Sequence, residues 1–161
     1  MDLEKILPSV IGALTGGTLS LLGSYFSARR QASKEEKRRE YEEKKAEKLA
    51  LKSVKHEIEL NNLRYYQIEK MMKSEALTKI DLRKSELELP VKTSKWEKHS
   101  DVIENIEDVN LDYVGKIRGL YMNIYRDLSL KSISKEEVSR IVKQSDDVLE
   151  KMNETLELHY K

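Results

Sequence analysis

The side chains best suited to chemistry in this 161-residue chain are its three histidines and their acidic neighbours. His56-Glu57 begins the His-Glu-x-x-His pattern, in which two histidines one helical turn apart hold zinc and the glutamate acts as base. Leu60 stands at the fifth position, so the second ligand is missing. His99 and His159 are isolated in sequence, and without cysteine no ligand set has metal-binding spacing. Gly16-Gly17-Thr18 lacks the lysine of a phosphate loop and lies inside an uncharged run. No serine occupies a Gly-x-Ser-x-Gly turn, and no cysteine nucleophile exists. The carboxylates are interleaved with lysines, the usual pattern of solvated helix faces. Trp96, Tyr113, Tyr121 and Tyr125 lie on or beside apolar stripes and read as core. The expectation is a chain with no catalytic residue, no metal and no cofactor.

The segments that would position any site differ sharply in charge. From Ile6 to Ala28 no Asp, Glu, Lys, Arg or His interrupts the run ILPSVIGALTGGTLSLLGSYFSA. A helix of that length rises roughly 34 Å, enough for a hydrocarbon core of about 30 Å. The start, Met-Asp-Leu-Glu-Lys, has no basic excess and does not read as a cleaved signal. Core helices rarely go so far without a solvated face. A transmembrane helix over residues 6–28 is therefore expected.

Lys5 is the lone base before the run, whereas Arg29, Arg30, Lys34, Lys37, Arg38, Arg39, Lys44, Lys45 and Lys48 crowd the other side. By the positive-inside rule, residues 1–5 lie outside a plasma or inner membrane and the C-terminal domain is cytoplasmic. A cytoplasmic location would leave the sequon Asn153-Glu154-Thr155 without meaning. The first six of those bases also suit anionic lipid headgroups. Gly12, Gly16, Ser20 and Gly23 recur at helical spacing, the small-residue pattern through which membrane helices associate. A homo-oligomer follows as an expectation. The formal net charge is only +1 and no base-stacking aromatics accompany the basic cluster, so no nucleic-acid partner is expected.

Residues 29–48 read as a charged helical stalk, with Glu35 and Arg39, Glu40 and Lys44, and Arg38 and Glu42 at helical spacing. Residues 49–161 read as an antiparallel helical bundle or coiled coil, giving an all-α fold class. Its seam is Leu51, Val54, Ile58, Asn61, Tyr65, Ile68 and Met72, spaced three then four, with Asn61 as a polar residue that can set register. Three heptads leave open whether the seam is intermolecular or one side of a bundle. Leu49, Leu60, Leu63 and Tyr66 widen the stripe and favour the bundle. Residues 73–92 read as a connection with one short helix, where Glu86 to Val91 alternates like a strand with no partner strand in sight. Ser94 with Glu97, and Ser134 with Glu137, have capping-box spacing, and Asn110 can cap the helix between. Trp96, His99, Ile103 and Ile106 form one face of the first of these helices. Val114, Ile117, Tyr121, Ile124 and Leu128 form the stripe of the second. Val138, Ile141, Val142, Val148, Leu149, Met152 and Leu156 point inward from the last, and Ile133 and Val138 occupy hydrophobic-staple positions.

The glycine-containing run, the basic stalk, Glu57-Ile58-x-x-Asn61, Trp96 and Tyr121-x-x-x-Tyr125 together resemble small single-pass membrane proteins of bacteria and their prophages. The resemblance is one of architecture over most of the chain and implies no active site. The function expected is that of a non-enzymatic, self-associating, membrane-anchored interaction or scaffold protein with an unknown protein partner. The alternative is a membrane-active effector, holin-like or of the abortive-infection and phage-defence kind. It would act by clustering its Gly/Ser/Thr-rich helix.

Overall fold

A computed structural model describes residues 3–82, 90–106, 111–130 and 132–160, with side chains described from Ser20 onward apart from residues 111 and 112. In order, the elements are α1 (Leu3–Ser74), β1 (Lys79–Ile80), α2 (Ser94–Glu104), α3 (Leu111–Ser129), β2 (Ile133–Ser134) and α4 (Lys135–His159). The chain divides into two units, Met1–Glu43 and Lys44–Lys161.

α1 is long because neither glycine nor proline occurs between Gly23 and Pro90, so nothing in that stretch interrupts the hydrogen-bond ladder. In the first unit every described side chain, from Ser20 to Glu43, is exposed. Among the described residues no helix is long and apolar enough to cross a membrane. Residues 6–19, the larger part of the uncharged run, lie outside those whose side chains are described.

In the second unit α1 is half-buried from Glu47 and first fully buried at Ala50. All seven seam residues, from Leu51 to Met72, are fully or almost fully buried. They are covered from within the same chain. Tyr160 Oη donates to Glu47 Oε2 (2.9 Å), Asn62 Nδ2 to Asp146 Oδ1 (2.7 Å), and Ser139 Oγ to Glu69 Oε1. Positions on α1 rise as their partners on α4 fall, so these two helices run antiparallel. α3 packs on α4, and α2 packs on α3. The inward stripes of α3 and α4 are buried or half-buried throughout, with Ile117, Tyr121, Ile124, Val138, Ile141 and Met152 completely inaccessible.

Leu49, Leu63 and Tyr66 do not widen the buried stripe but are more than half exposed, and Leu60 is half-buried. The bundle is formed, yet its other elements close over the seam side of α1 alone.

The end of α1 has no glycine to announce it. Leu77 N donates to Met72 O (2.9 Å), the long-range bond of a Schellman cap. Ala76 takes the left-handed position (φ 53°) that glycine usually fills, at a cost of roughly 1 kcal/mol. The apolar pair that accompanies this motif is present, since Met72 is buried and Leu77 packs against the core.

The all-α expectation holds except for one minimal ladder. β1 and β2 pair antiparallel, Lys79 opposite Ser134 and Ile80 opposite Ile133. Two residues per strand are too few to leave an alternating pattern. The expected alternation of Glu86 to Leu89 and the Asn110 cap lie outside the described residues.

The two proposed capping boxes differ. At α4 the box is complete: Glu137 N donates to Ser134 Oγ (3.3 Å) and Ser134 N to Glu137 Oε2 (2.8 Å). The flanking Ile133 and Val138 are both fully buried. At α2 the N-cap is Thr93, not Ser94, and its side chain makes no cap bond. The Thr93 hydroxyl instead donates to Glu97 Oε1 (2.8 Å).

Candidate functional site

The free amides at the start of α2 are satisfied from another helix. Glu57, buried on α1, accepts from Lys95 N (2.8 Å) and Trp96 N (3.1 Å), the second and third residues of α2. These are the donors that an N-cap side chain normally satisfies. Ser94 Oγ (3.3 Å) and Tyr121 Oη (2.9 Å) donate to the same carboxylate. An acidic group at a helix N-terminus also meets the positive end of the helix dipole. Burial, and secondly the neighbouring Glu57, push the Tyr121 phenol well above its ordinary range, so it remains a donor. The Trp96 and Tyr121 rings stack with centroids 5.0 Å apart and planes within 10°.

One turn along α1, Asn61 Nδ2 donates to Lys92 O (2.6 Å), while Asn61 Oδ1 accepts from Lys92 N (2.9 Å). The side-chain amide therefore pairs with both backbone groups of Lys92, as a neighbouring strand would. Arg64, buried a further turn on, donates to Pro90 O. Glu57, Asn61 and Arg64 thus form a clamp over two turns of α1, holding residues 90–96. This arrangement gives Asn61 an intramolecular partner where the seam pattern suggested a register-setting residue. It also shows that Glu57 does not sit on a solvated face.

Sequence spacing marked Glu57 only within an incomplete His-Glu-x-x-His pattern and the Glu57-Ile58-x-x-Asn61 resemblance, not as a buried cap, and it did not mark Arg64. The available signal was a polar series at i, i+4 and i+7 beside the apolar seam, of which the seam pattern included Asn61 alone.

A second buried acid lies on α3. Asp127 Oδ1 accepts from Arg126 Nη2 (2.8 Å) and Nε (3.3 Å). Asp127 Oδ2 and Tyr65 Oη have no hydrogen-bond partner among the described residues. Burial raises the Asp127 carboxyl above the usual range against the pull of Arg126, and burial with the nearby Asp127 raises the Tyr65 phenol.

The folded chain therefore holds the Asp127 proton more tightly than the unfolded chain. The resulting stability is complete below the unfolded carboxylate range, near pH 4, and is lost as pH rises through the raised folded value. Asp127→Asn cannot suffer that loss. It should gain on the parent protein between pH 4 and pH 7 in urea midpoints. A gap that does not change with pH would mean that Asp127 is not desolvated.

The histidines stay apart. His56 is exposed, with Nδ1 3.6 Å from Glu59 Oε2. His99 is half-buried and held below its ordinary value by burial, then by Lys98 and Lys95. His159 ends α4. Among the described residues no group of three His, Cys, Asp or Glu could hold a metal. Tyr113 is buried as expected, but Tyr125 is partly exposed and donates to Glu97 Oε1 (3.0 Å).

Of the expected association stripe, Gly12 and Gly16 lie outside the residues with described side chains. Ser20 and Gly23 are exposed, and nothing lies within 4 Å of a Cβ built on Gly23. Arg29, Arg30, Lys34, Lys37, Arg38 and Arg39 are all exposed. No protein-family model matches the chain, and no curated protein or solved structure matches it.

Proposed function

We propose that this chain is a non-enzymatic, single-pass membrane-anchored helical protein, whose Lys44–Lys161 unit binds a protein partner or another copy of itself. One observation carries this reading: the uncharged run Ile6–Ala28 ends in a helical stretch that exposes Leu21, Leu22, Tyr25 and Phe26 and is followed at once by Arg29 and Arg30. Large apolar side chains left in water forfeit about 25 cal/mol per Å² of surface, and a bilayer recovers it. The excess of bases after the run favours a cytoplasmic Lys44–Lys161 unit.

The engagement of Glu57, Asn61 and Arg64 with backbone groups supports a structural rather than catalytic use of the buried polar side chains. The exposed Ser20 and Gly23, continuing the Gly12 and Gly16 spacing, support self-association through the span.

The test is fractionation of the full chain and of a chain lacking residues 6–28. The full chain should remain with membranes through high salt and alkaline wash, and the deletion should release a helical protein. A reporter active only in the cytoplasm should work after Lys161. A full chain that washes off would overturn the anchor, and a reporter active only outside would overturn the orientation. Leakage of a trapped dye on expression would favour the membrane-breaching reading instead.

A further inference from the structure

The last turns of the uncharged run have two unlike faces. At about 100° per residue, Leu21, Leu22, Tyr25 and Phe26 share one side of the helix, and Arg29 continues that side one turn later. Ser20, Gly23, Ser24 and Ser27 occupy the other. All nine residues are exposed, with Leu21 at 72% and Tyr25 at 60%. The Tyr25 and Phe26 rings meet edge to face, centroids 5.9 Å apart at 71°. A single face therefore passes from aliphatic to aromatic to cationic.

The spacing has a physical match. Tyr25 and Arg29 are four residues apart, about 6 Å along a helix. A bilayer about 40–45 Å thick overall, with a hydrocarbon core of about 30 Å, has a headgroup layer of roughly 5–8 Å on each side. Amphipathic rings settle at that boundary, and bases settle just beyond it. Six bases against two acids between Arg29 and Arg39 complement an anionic lipid surface. A nucleic acid would satisfy the bases but leave the Leu21–Phe26 face in water.

We infer that Tyr25 and Phe26 form an interfacial belt seated at the headgroup boundary of an anionic bilayer, with Arg29 and Arg30 binding the lipid phosphates immediately outside it. This rests on the anchored reading above and adds the depth at which the helix sits and the aromatic side chains that fix it.

The test uses the full chain reconstituted into vesicles of phosphatidylcholine with phosphatidylglycerol. Tyr25→Trp and, separately, Phe26→Trp place a reporter at the belt, while the single native tryptophan, Trp96, is buried and supplies a constant background. Both new tryptophans should emit at blue-shifted wavelengths and be quenched most by lipids brominated near the headgroup. Brominated phosphatidylglycerol should quench more than brominated phosphatidylcholine at equal content. Arg29→Gln with Arg30→Gln should remove a local enrichment of up to about fivefold per base.

Maximal quenching from the bilayer centre would overturn the placement, and equal quenching by the two lipids would overturn the preference for anions. Water-exposed emission from a chain that still floats with the vesicles would overturn the belt and leave the anchor standing. A chain that does not float would overturn both. Displacement from the vesicles by an oligonucleotide would overturn the lipid assignment in favour of nucleic acid.

Discussion

Replacing Glu57 with alanine is expected to remove about 4 kcal/mol of stability, a change on the scale reserved for disruption of buried networks. The substitution leaves Lys95 N–H, Trp96 N–H and the Tyr121 hydroxyl without their acceptor. Hydrogen bonds to a charged group contribute about 1.5–3 kcal/mol each, and a buried donor left unpaired loses its desolvation energy with nothing to offset it. The effects are not additive, because the helix start can fray and admit water. Glu57→Gln should be intermediate: it keeps one acceptor oxygen but presents an NH2 group to donors. Glu59→Ala is the control. Glu59 pairs with Lys55 and His56 in a surface setting, so its loss should change stability by no more than about 0.5 kcal/mol. Urea unfolding of the three variants, followed by circular dichroism, measures the series. Equal costs for Glu57→Ala and Glu59→Ala would show that the α2 start does not depend on α1.

The difference between these two glutamates explains how much of the fold was legible in the sequence. Both sit on a lysine-rich helix, and side-chain type does not distinguish them. Periodicity does better for apolar residues. The three-four spacing from Leu51 to Met72 identifies a buried face, since burial repeats with the helical turn and mixed faces are costly. The same logic identifies Ile117, Tyr121 and Ile124, and local capping chemistry identifies the start of α4 within four residues. Where a residue's role depends on a distant backbone segment, the pattern is silent. Asn61 reads as a register residue until Lys92 is seen paired to it, 31 positions away. Ser94 and Glu97 read as a local capping box until Glu57 is seen supplying the cap.

Width is also poorly encoded. Leu63 and Tyr66 extend the apolar stripe in sequence, but the number of elements available to cover α1 determines how much is buried. The Ala76 turn is hidden for a different reason: the left-handed position is enforced by the Schellman bonds and by packing of Leu77, not by a residue that prefers it.

The candidate site shows the same division. The basic cluster from Arg29 to Arg39 is legible because charge is additive along a chain. The clamp made by Glu57, Asn61 and Arg64 is not, because its ligand is the backbone of residues 90–96, and backbone carries no sequence signature.

The other large effect follows from the width of the buried face. Ile124 is fully buried in the α3 stripe, and Ile124→Asp would place a carboxylate among Ile117, Tyr121 and the α4 residues of the same core. The cluster that holds it is apolar, and an unpaired charge in an apolar interior costs several kcal/mol before the lost packing of the isoleucine is added. A unit of about this size has 5–15 kcal/mol of stability in all. Ile124→Asp should therefore abolish or nearly abolish the cooperative thermal transition and lower helical circular dichroism at room temperature. Leu63→Asp makes the same change in charge on a side chain that is 63% exposed, and it should leave the melting temperature within a few degrees. If the seam of α1 were as wide as its apolar residues suggest, the two variants would fail together. Intact melting of Ile124→Asp would displace the core from α3, whereas collapse of Leu63→Asp alone would place a covering partner on the outer face of α1.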